Sequence, residues 1–319
     1  MNSKERVFAV INGKEADQVP SCFSLHFPQG CERGGKAVEA HVDFFEQTGT
    51  DICKIMNENL VPYCEGICSG SDWKKIPSFN AESSFMKEQI DMTKRILDKS
   101  DPSKFYIGTL HGVVASALHP IEKKYGYEMG RLTLAEHLRQ DKDAVADALK
   151  RIAEGMCQLA EKYVEIGLDG VYYAALGGEY RYYSDEEFES YIKPLDEQIL
   201  SAIQRSGGVS FLHICKDRLN MQRYKDYGKY ADVVNWGVYE APFCLNEGRK
   251  MFPDNTIMGG LANRSGVLVE GTEEEIRREV KKIVEEFGRE KFILGADCTL
   301  PTDISYQRIR AAVEAAKEC

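Results

Sequence analysis

The sequence predicts a (β/α)8 TIM barrel: one α/β domain over residues 1–319 with an N-terminal helical extension. Three observations predict it. Eight short apolar runs with β-branched and aromatic members alternate with helical patterns. The length, 319 residues, suits a barrel, which takes about 250 residues plus insertions. Polar and metal-ligating side chains recur at the C-terminal ends of the runs, where barrels keep their chemistry. A doubly wound open sheet would give similar alternation, so a second α/β architecture stays open behind the barrel.

In chain order, Met1-Asn-Ser-Lys-Glu-Arg-Val leads directly into a short amphipathic helix rather than a signal peptide. Strands are expected at 21–27 (Ser-Cys-Phe-Ser-Leu-His-Phe), 51–57, 105–111 and 169–175. Four more follow at 209–215 (Val-Ser-Phe-Leu-His-Ile-Cys), 231–237, 256–261 and 292–298. Helical periodicity marks 134–166, 185–205, 272–288 and 303–317, and Thr272 with Glu275 forms a capping box. Residues 112–133 are expected to form a loop or an additional helix. No low-complexity linker, domain boundary or solenoid repeat interrupts the pattern.

Lys+Arg 41 against Asp+Glu 51 gives a net charge of −10 with no basic run. Nucleic acid and anionic membrane surfaces are therefore not expected partners. No apolar stretch approaches the ~20 residues that cross a bilayer. Ten cysteines without an export signal predict a reducing, cytoplasmic setting.

The residues with chemical promise sit at the strand ends: His26, Asn57 with Glu58, His111, Glu179, His213 with Cys215, Glu240 and Cys298. Side chains alternate across a strand, so His213 and Cys215 point to one side with Cα atoms roughly 6.6 Å apart. Cysteine is common in cores, so this pair alone reads equally well as packing. Cys298, at the matching end of another strand, turns the balance toward a metal. One histidine and two cysteines with a position left open is the pattern of a catalytic zinc site. Glu240 or Asp232, around the sixth strand, could supply a fourth ligand; Gly237 stands where a carboxylate would have served. Asp297 is expected to point away from the metal and support the ligands from behind. Lys216 and Asp217 read as surface charges.

For substrate binding the expected residues are His26, His111, Tyr172, Tyr173 and Glu179. Tyr180, Tyr182 and Tyr183 follow in the same stretch, and such rings suit an aromatic ether or a small organic cation. Packing is the competing role. Gly177-Gly178 would allow a tight turn or close substrate approach; no Lys-Ser/Thr follows it, so it is not a phosphate loop.

Several segments carry a resemblance. Arg6-Val-Phe-Ala-Val-Ile-Asn-Gly13 with Asp17-Gln-Val-Pro20, Met258-Gly-Gly-Leu-Ala-Asn-Arg264 and Gly295-Ala-Asp-Cys-Thr-Leu-Pro301 resemble the uroporphyrinogen decarboxylase superfamily nearly end to end. Within it, His213, Cys215 and Cys298 match the His-x-Cys…Cys set of the zinc-dependent methyltransferases. That resemblance implies zinc, a corrinoid-binding partner protein, and a small-molecule methyl donor or acceptor, a thiol such as coenzyme M among them. Cobalamin-independent methionine synthase has a similar zinc site on a barrel. The true decarboxylases instead place an Arg-x-x-x-Arg pair after the first strand and a histidine in the C-terminal turn. Here Glu32-Arg33 and Asp297-Cys298 occupy those places, which argues against uroporphyrinogen decarboxylation, the alternative function. A non-enzymatic barrel that stores zinc or scaffolds a corrinoid protein is a third class.

Overall fold

The structure, a computed structural model, describes residues 1–319. Eight parallel strands close into a barrel in sequential order. They are β1 (Ser21–Phe23), β2 (Ile52–Ile55), β3 (Phe105–His111), β4 (Gly170–Ala175), β5 (Val209–Ile214), β6 (Val233–Trp236), β7 (Thr256–Leu261) and β8 (Phe292–Ala296). β1 pairs with β8 through Ser21↔Leu294 and Cys22↔Gly295, which closes the ring and excludes the open sheet. Every expected strand is present. Five of them, β1, β2, β5, β6 and β8, stop one to four residues short of the expected C-terminal end.

Alternation along the strands sorts the side chains into two cores. Cys22, Ile52, Ile107, Phe211, Val233 and Ile293 belong to an inner cluster of 12 buried residues filling the barrel. Their outward neighbours join a cluster of 84 between sheet and helices. The N-terminal extension, helix Ser3–Ile11, contributes Val7 and Val10 to the inner cluster and so plugs the bottom of the barrel. Asn2 and Glu5 cap this helix reciprocally, and Arg6 anchors it through Asp51 at 2.6 Å and Asp17 at 2.7 Å.

Helix boundaries show how local chemistry overrides periodicity. The expected continuous helix 134–166 is two helices, Tyr127–Gln140 and Lys142–Glu165. Asp141 breaks the run, its side chain accepting the Ala144 amide at 3.1 Å as an N-cap. Residues 112–133 are helical: Val113–Tyr125 and the start of the following helix lie over the mouth. No helix is long and apolar enough to cross a membrane.

Toward the C-terminal ends the inward positions turn polar. Lys54, Thr109, His111, Tyr172 and His213 all face one cavity of about 310 Å³ at the barrel mouth.

Candidate metal centre

β5 holds His213 inward, in register with Ala174 on β4 and Asn235 on β6. Cys215 N–H bonds to Ala175 O at 3.0 Å, extending the ladder one residue and keeping Cys215 on the same side as His213. Cys298 arrives differently. Strict alternation from Ile293, an inner residue, would turn Asp297 inward and Cys298 outward. The strand instead ends at Ala296 and bends at Asp297–Cys298, which brings Cys298 into the cavity. The ligand atoms of His213, Cys215 and Cys298 all lie within 4.8 Å of one another.

Asn235 determines what His213 offers. Its Nδ2 donates to two backbone carbonyls, Met258 O at 2.9 Å and Ala296 O at 3.2 Å. Carbonyls only accept, so the amide cannot be flipped and Oδ1 must face the histidine. Oδ1 lies 2.6 Å from His213 Nδ1 and also accepts the Tyr172 hydroxyl at 3.1 Å. Nδ1 therefore carries the proton, and Nε2 keeps a free lone pair. That Nε2 is buried without a hydrogen-bond partner. An orphaned imidazole nitrogen facing two sulfurs fits a zinc ion.

The sulfurs are poised unequally. The Cys215 thiol beside it, with Lys54 nearby, holds Cys298 below the ordinary thiol range. Contact with Cys298 and burial push Cys215 up. The two sulfurs thus titrate as a pair, and both must be deprotonated to complete a ligand set.

A family model described as uroporphyrinogen decarboxylase (URO-D) matches residues 45–319. The chain belongs to that family. Among solved structures it is similar to a methyltransferase from Methanosarcina mazei, at 16% identity over 100% of this chain and 99% of that one, TM-score 0.75. It is also similar to a B12-independent methionine synthase from Shewanella sp. W3-18-1, at 12% identity over 94% and 97%, TM-score 0.62. At such identities these likenesses establish the shared fold. No curated protein sequence matches.

In this family member the other expected site residues divide. Tyr172 lines the cavity and stacks on His213, centroids 5.3 Å apart and planes at 23°. His111 lines it too, and burial pushes its pKa down to about 4, so the ring is neutral. His26 stands at the exposed rim with Nδ1 2.5 Å from Glu58 Oε1.

Tyr173 faces away. It is one residue from Tyr172, so alternation turns it outward, where its hydroxyl bonds to Asp196 behind the sheet. Glu179 is fully buried in an ion pair with Arg131 and does not line the cavity. Tyr180 is exposed, while Tyr182 and Tyr183 are buried in the outer core. The expected tyrosine pocket does not form. Gly178 serves the protein itself, since a Cβ there would lie 2.4 Å from the Tyr224 ring.

Neither expected fourth ligand reaches the three donors. Asp232 precedes β6 and therefore lies at the opposite end of the barrel, its carboxylate accepting the Ser210 amide at 2.8 Å. Glu240 is exposed in the loop after β6, outside the set of mutually close donor atoms. Burial and the Cys298 charge still raise its pKa. Asp297 holds that same loop, accepting the Tyr239 amide at 2.9 Å, with its pKa pushed up to about 7 by burial.

Three residues that the sequence reading passed over belong here. Asn235 and Lys54 are both buried and polar on strands, which is the signal that could have found them. Lys216, taken for a surface charge, lines the cavity with Nζ 4.6 Å from the Tyr127 ring centroid. Its φ of 92° is rare for a residue with a Cβ and marks strained backbone directly after Cys215.

Proposed function

We propose that this protein is a zinc-dependent methyltransferase that moves a methyl group between a corrinoid protein and a thiol or methylated small molecule. One observation carries the reading: His213 Nε2 is buried and unpartnered, with the Cys215 and Cys298 sulfurs within 4.8 Å. The fold shared with a protein described as a methyltransferase supports it.

Two thiolates and a neutral imidazole balance the charge of a divalent cation and leave a coordination position for substrate. When bound, zinc would supply the positive charge that keeps a substrate thiol ionised at neutral pH. The chain's own residues do the rest. Asn235 fixes the His213 tautomer, so the lone pair is presented without a rotational choice. Cys215 and Cys298 would hold the ion as thiolates, their remaining proton passing to solvent on binding. Tyr172 packs along the imidazole and restricts its tilt. His26 and His111 line the space in front of the ligands and are assigned to substrate binding.

Uroporphyrinogen decarboxylation, favoured by the family's namesake, would need paired cationic side chains after β1. The chain offers Arg33, whose Nη2 donates to the Glu58 carbonyl at 2.6 Å. The test is elemental analysis of the purified protein, followed by transfer assays with a methylated corrinoid protein. Near-stoichiometric zinc is expected, with metal and transfer both lost in His213→Ala and Cys298→Ser. Full transfer activity in a zinc-free preparation, or metal-independent turnover of uroporphyrinogen, would refute the reading.

A further inference from the structure

Two neighbouring residues after β5 reach the same cavity, which regular strand geometry does not permit. Cys215 still follows the ladder, its N–H bonding to Ala175 O at 3.0 Å. Alternation would then turn Lys216 to the outer face. Lys216 instead lines the mouth beside Cys215. Its φ of 92° makes the difference. Two other non-glycine residues have positive φ, Arg218 at 52° and Lys291 at 46°, and both lie near the left-handed well at about 57°. Only Lys216 stands far outside it. Such strain persists where the surrounding structure fixes both flanks. Here Asn220 N–H is bonded to Gly178 O at 2.9 Å just downstream.

The strained turn delivers an ammonium group. Nζ sits 4.6 Å from the ring centroid of Tyr127, the first residue of helix Tyr127–Gln140, and this contact fixes its direction. The adjacent carboxylate, Asp217, faces Arg218 at 3.7 Å. Of the anions acting on the Lys216 ammonium, the Cys215 sulfur is the strongest, ahead of Tyr127. Cys298 stands in the same relation to a second lysine, Lys54. The cavity as a whole is mixed in charge, with Glu58 and Glu122 also on its lining. What matters is therefore which group faces which sulfur.

Methyl transfer to sulfur forms a sulfur–carbon bond from a sulfur lone pair and leaves the old bonding pair on the donor. With two protein thiolates and a substrate thiolate at one site, all three sulfurs compete for the methyl group. A fixed positive charge beside one sulfur lowers the energy of its lone pairs and slows its attack. We propose that Lys216 keeps Cys215 from being methylated in place of the substrate: the strained turn holds its ammonium beside the ligand sulfur, and the substrate sulfur remains the better nucleophile. The proposal rests on the methyltransferase reading. It also accounts for the strain, because a glycine would make the same turn without that cost but would carry no charge.

The test treats zinc-loaded protein with iodomethane and follows S-methylation of Cys215 and Cys298 separately by peptide mass spectrometry. The probe reaction forms one sulfur–methyl bond and releases iodide. Lys216→Met should raise the Cys215 rate roughly tenfold and leave Cys298 within about twofold; Lys216→Arg should keep the wild-type rate. Lys216→Gly, which makes the turn without strain, should match Lys216→Met in the Cys215 rate and exceed it in urea midpoint. With cobalt(II) in place of zinc, the sulfur-to-cobalt charge-transfer band should move to longer wavelength in both uncharged variants and stay in place in Lys216→Arg. If Lys216→Met loses the metal, Lys216→Gly carries the comparison. Unchanged Cys215 methylation and an unmoved band, with metal in place, overturn the proposal. So does an equal rise at Cys298, which would mean that the mouth has merely opened. A urea midpoint no higher in Lys216→Gly than in Lys216→Met removes the strain on which the proposal stands. Wild-type protein that binds neither zinc nor cobalt sinks the methyltransferase reading, and the proposal falls with it.

Discussion

Asn235 shows how much of a metal site can reside in a residue that never touches the metal. Two backbone carbonyls orient its amide, the amide orients His213, and His213 presents a lone pair toward two sulfurs. Removing the amide leaves the imidazole free to tilt and to change tautomer. Asn235→Ala is therefore expected to lower zinc affinity by about ten- to hundredfold with the fold retained, measured by competition with a chromogenic chelator. A second residue governs stability rather than chemistry. Asp196 is wholly buried, accepts hydrogen bonds from the Tyr173 and Tyr227 hydroxyls, and is pushed up to about 7 by burial. An unfolded aspartate titrates near about 4. Between those values the folded chain holds a proton that the unfolded chain has released, so the proton-count difference between unfolded and folded is negative and stability falls as pH rises. The urea midpoint should drop between about pH 5 and about pH 8. Asp196→Asn, which cannot ionise, should flatten that drop; an unchanged slope would contradict it.

At the level of elements, three aspartates repeat one device at the bottom of the barrel. Asp51, Asp169 and Asp232 stand just before β2, β4 and β6, and each accepts an amide at the start of the preceding strand: Ser21, Tyr106 and Ser210 at 3.1, 2.9 and 2.8 Å. Ser21 is the first residue of its strand and Tyr106 and Ser210 are the second of theirs, and a buried amide left there without a bond is costly. Asp232→Ala should thus cost roughly 1.5–3 kcal/mol of stability while metal content stays unchanged. Denaturant titration paired with metal analysis checks both halves, and lost metal would return Asp232 to the ligand set. The tops of the strands behave in the opposite way. β5 and β8 end one or two residues before their cysteines, and Cys298 reaches the cavity only because the chain bends there. Regular structure supplies the scaffold, and its interruption aims the ligand.

Across the whole molecule, the metal site sits at one end of the core: Tyr172 of the inner cluster stacks on His213, and Cys215 packs against the outer cluster. The donors sit at the mouth, whereas the 12-residue inner cluster and the 84-residue outer cluster hold the barrel without them. Stripping the metal should lower the melting temperature by several degrees, since a ligand at a thousandfold its dissociation constant contributes about 4 kcal/mol. The far-UV circular dichroism should not change; collapse of the spectrum would mean that the metal holds the fold. The barrel and the His213, Cys215, Cys298 set were legible in the residues themselves. Strand periodicity is local, and two of the three ligands share a strand two residues apart. Tyr172 and Tyr173 look identical as neighbours, and only the pleat sends one to the cavity and the other behind the sheet. Lys54, Lys216 and Asn235 carry no motif, because what they do depends on strands far away in the chain. Local order along the polypeptide determined which elements form and which donors are available. Ring closure decided which end of each strand is the mouth, which atoms meet there, and why Asp232 is a fastening at the base and not a ligand.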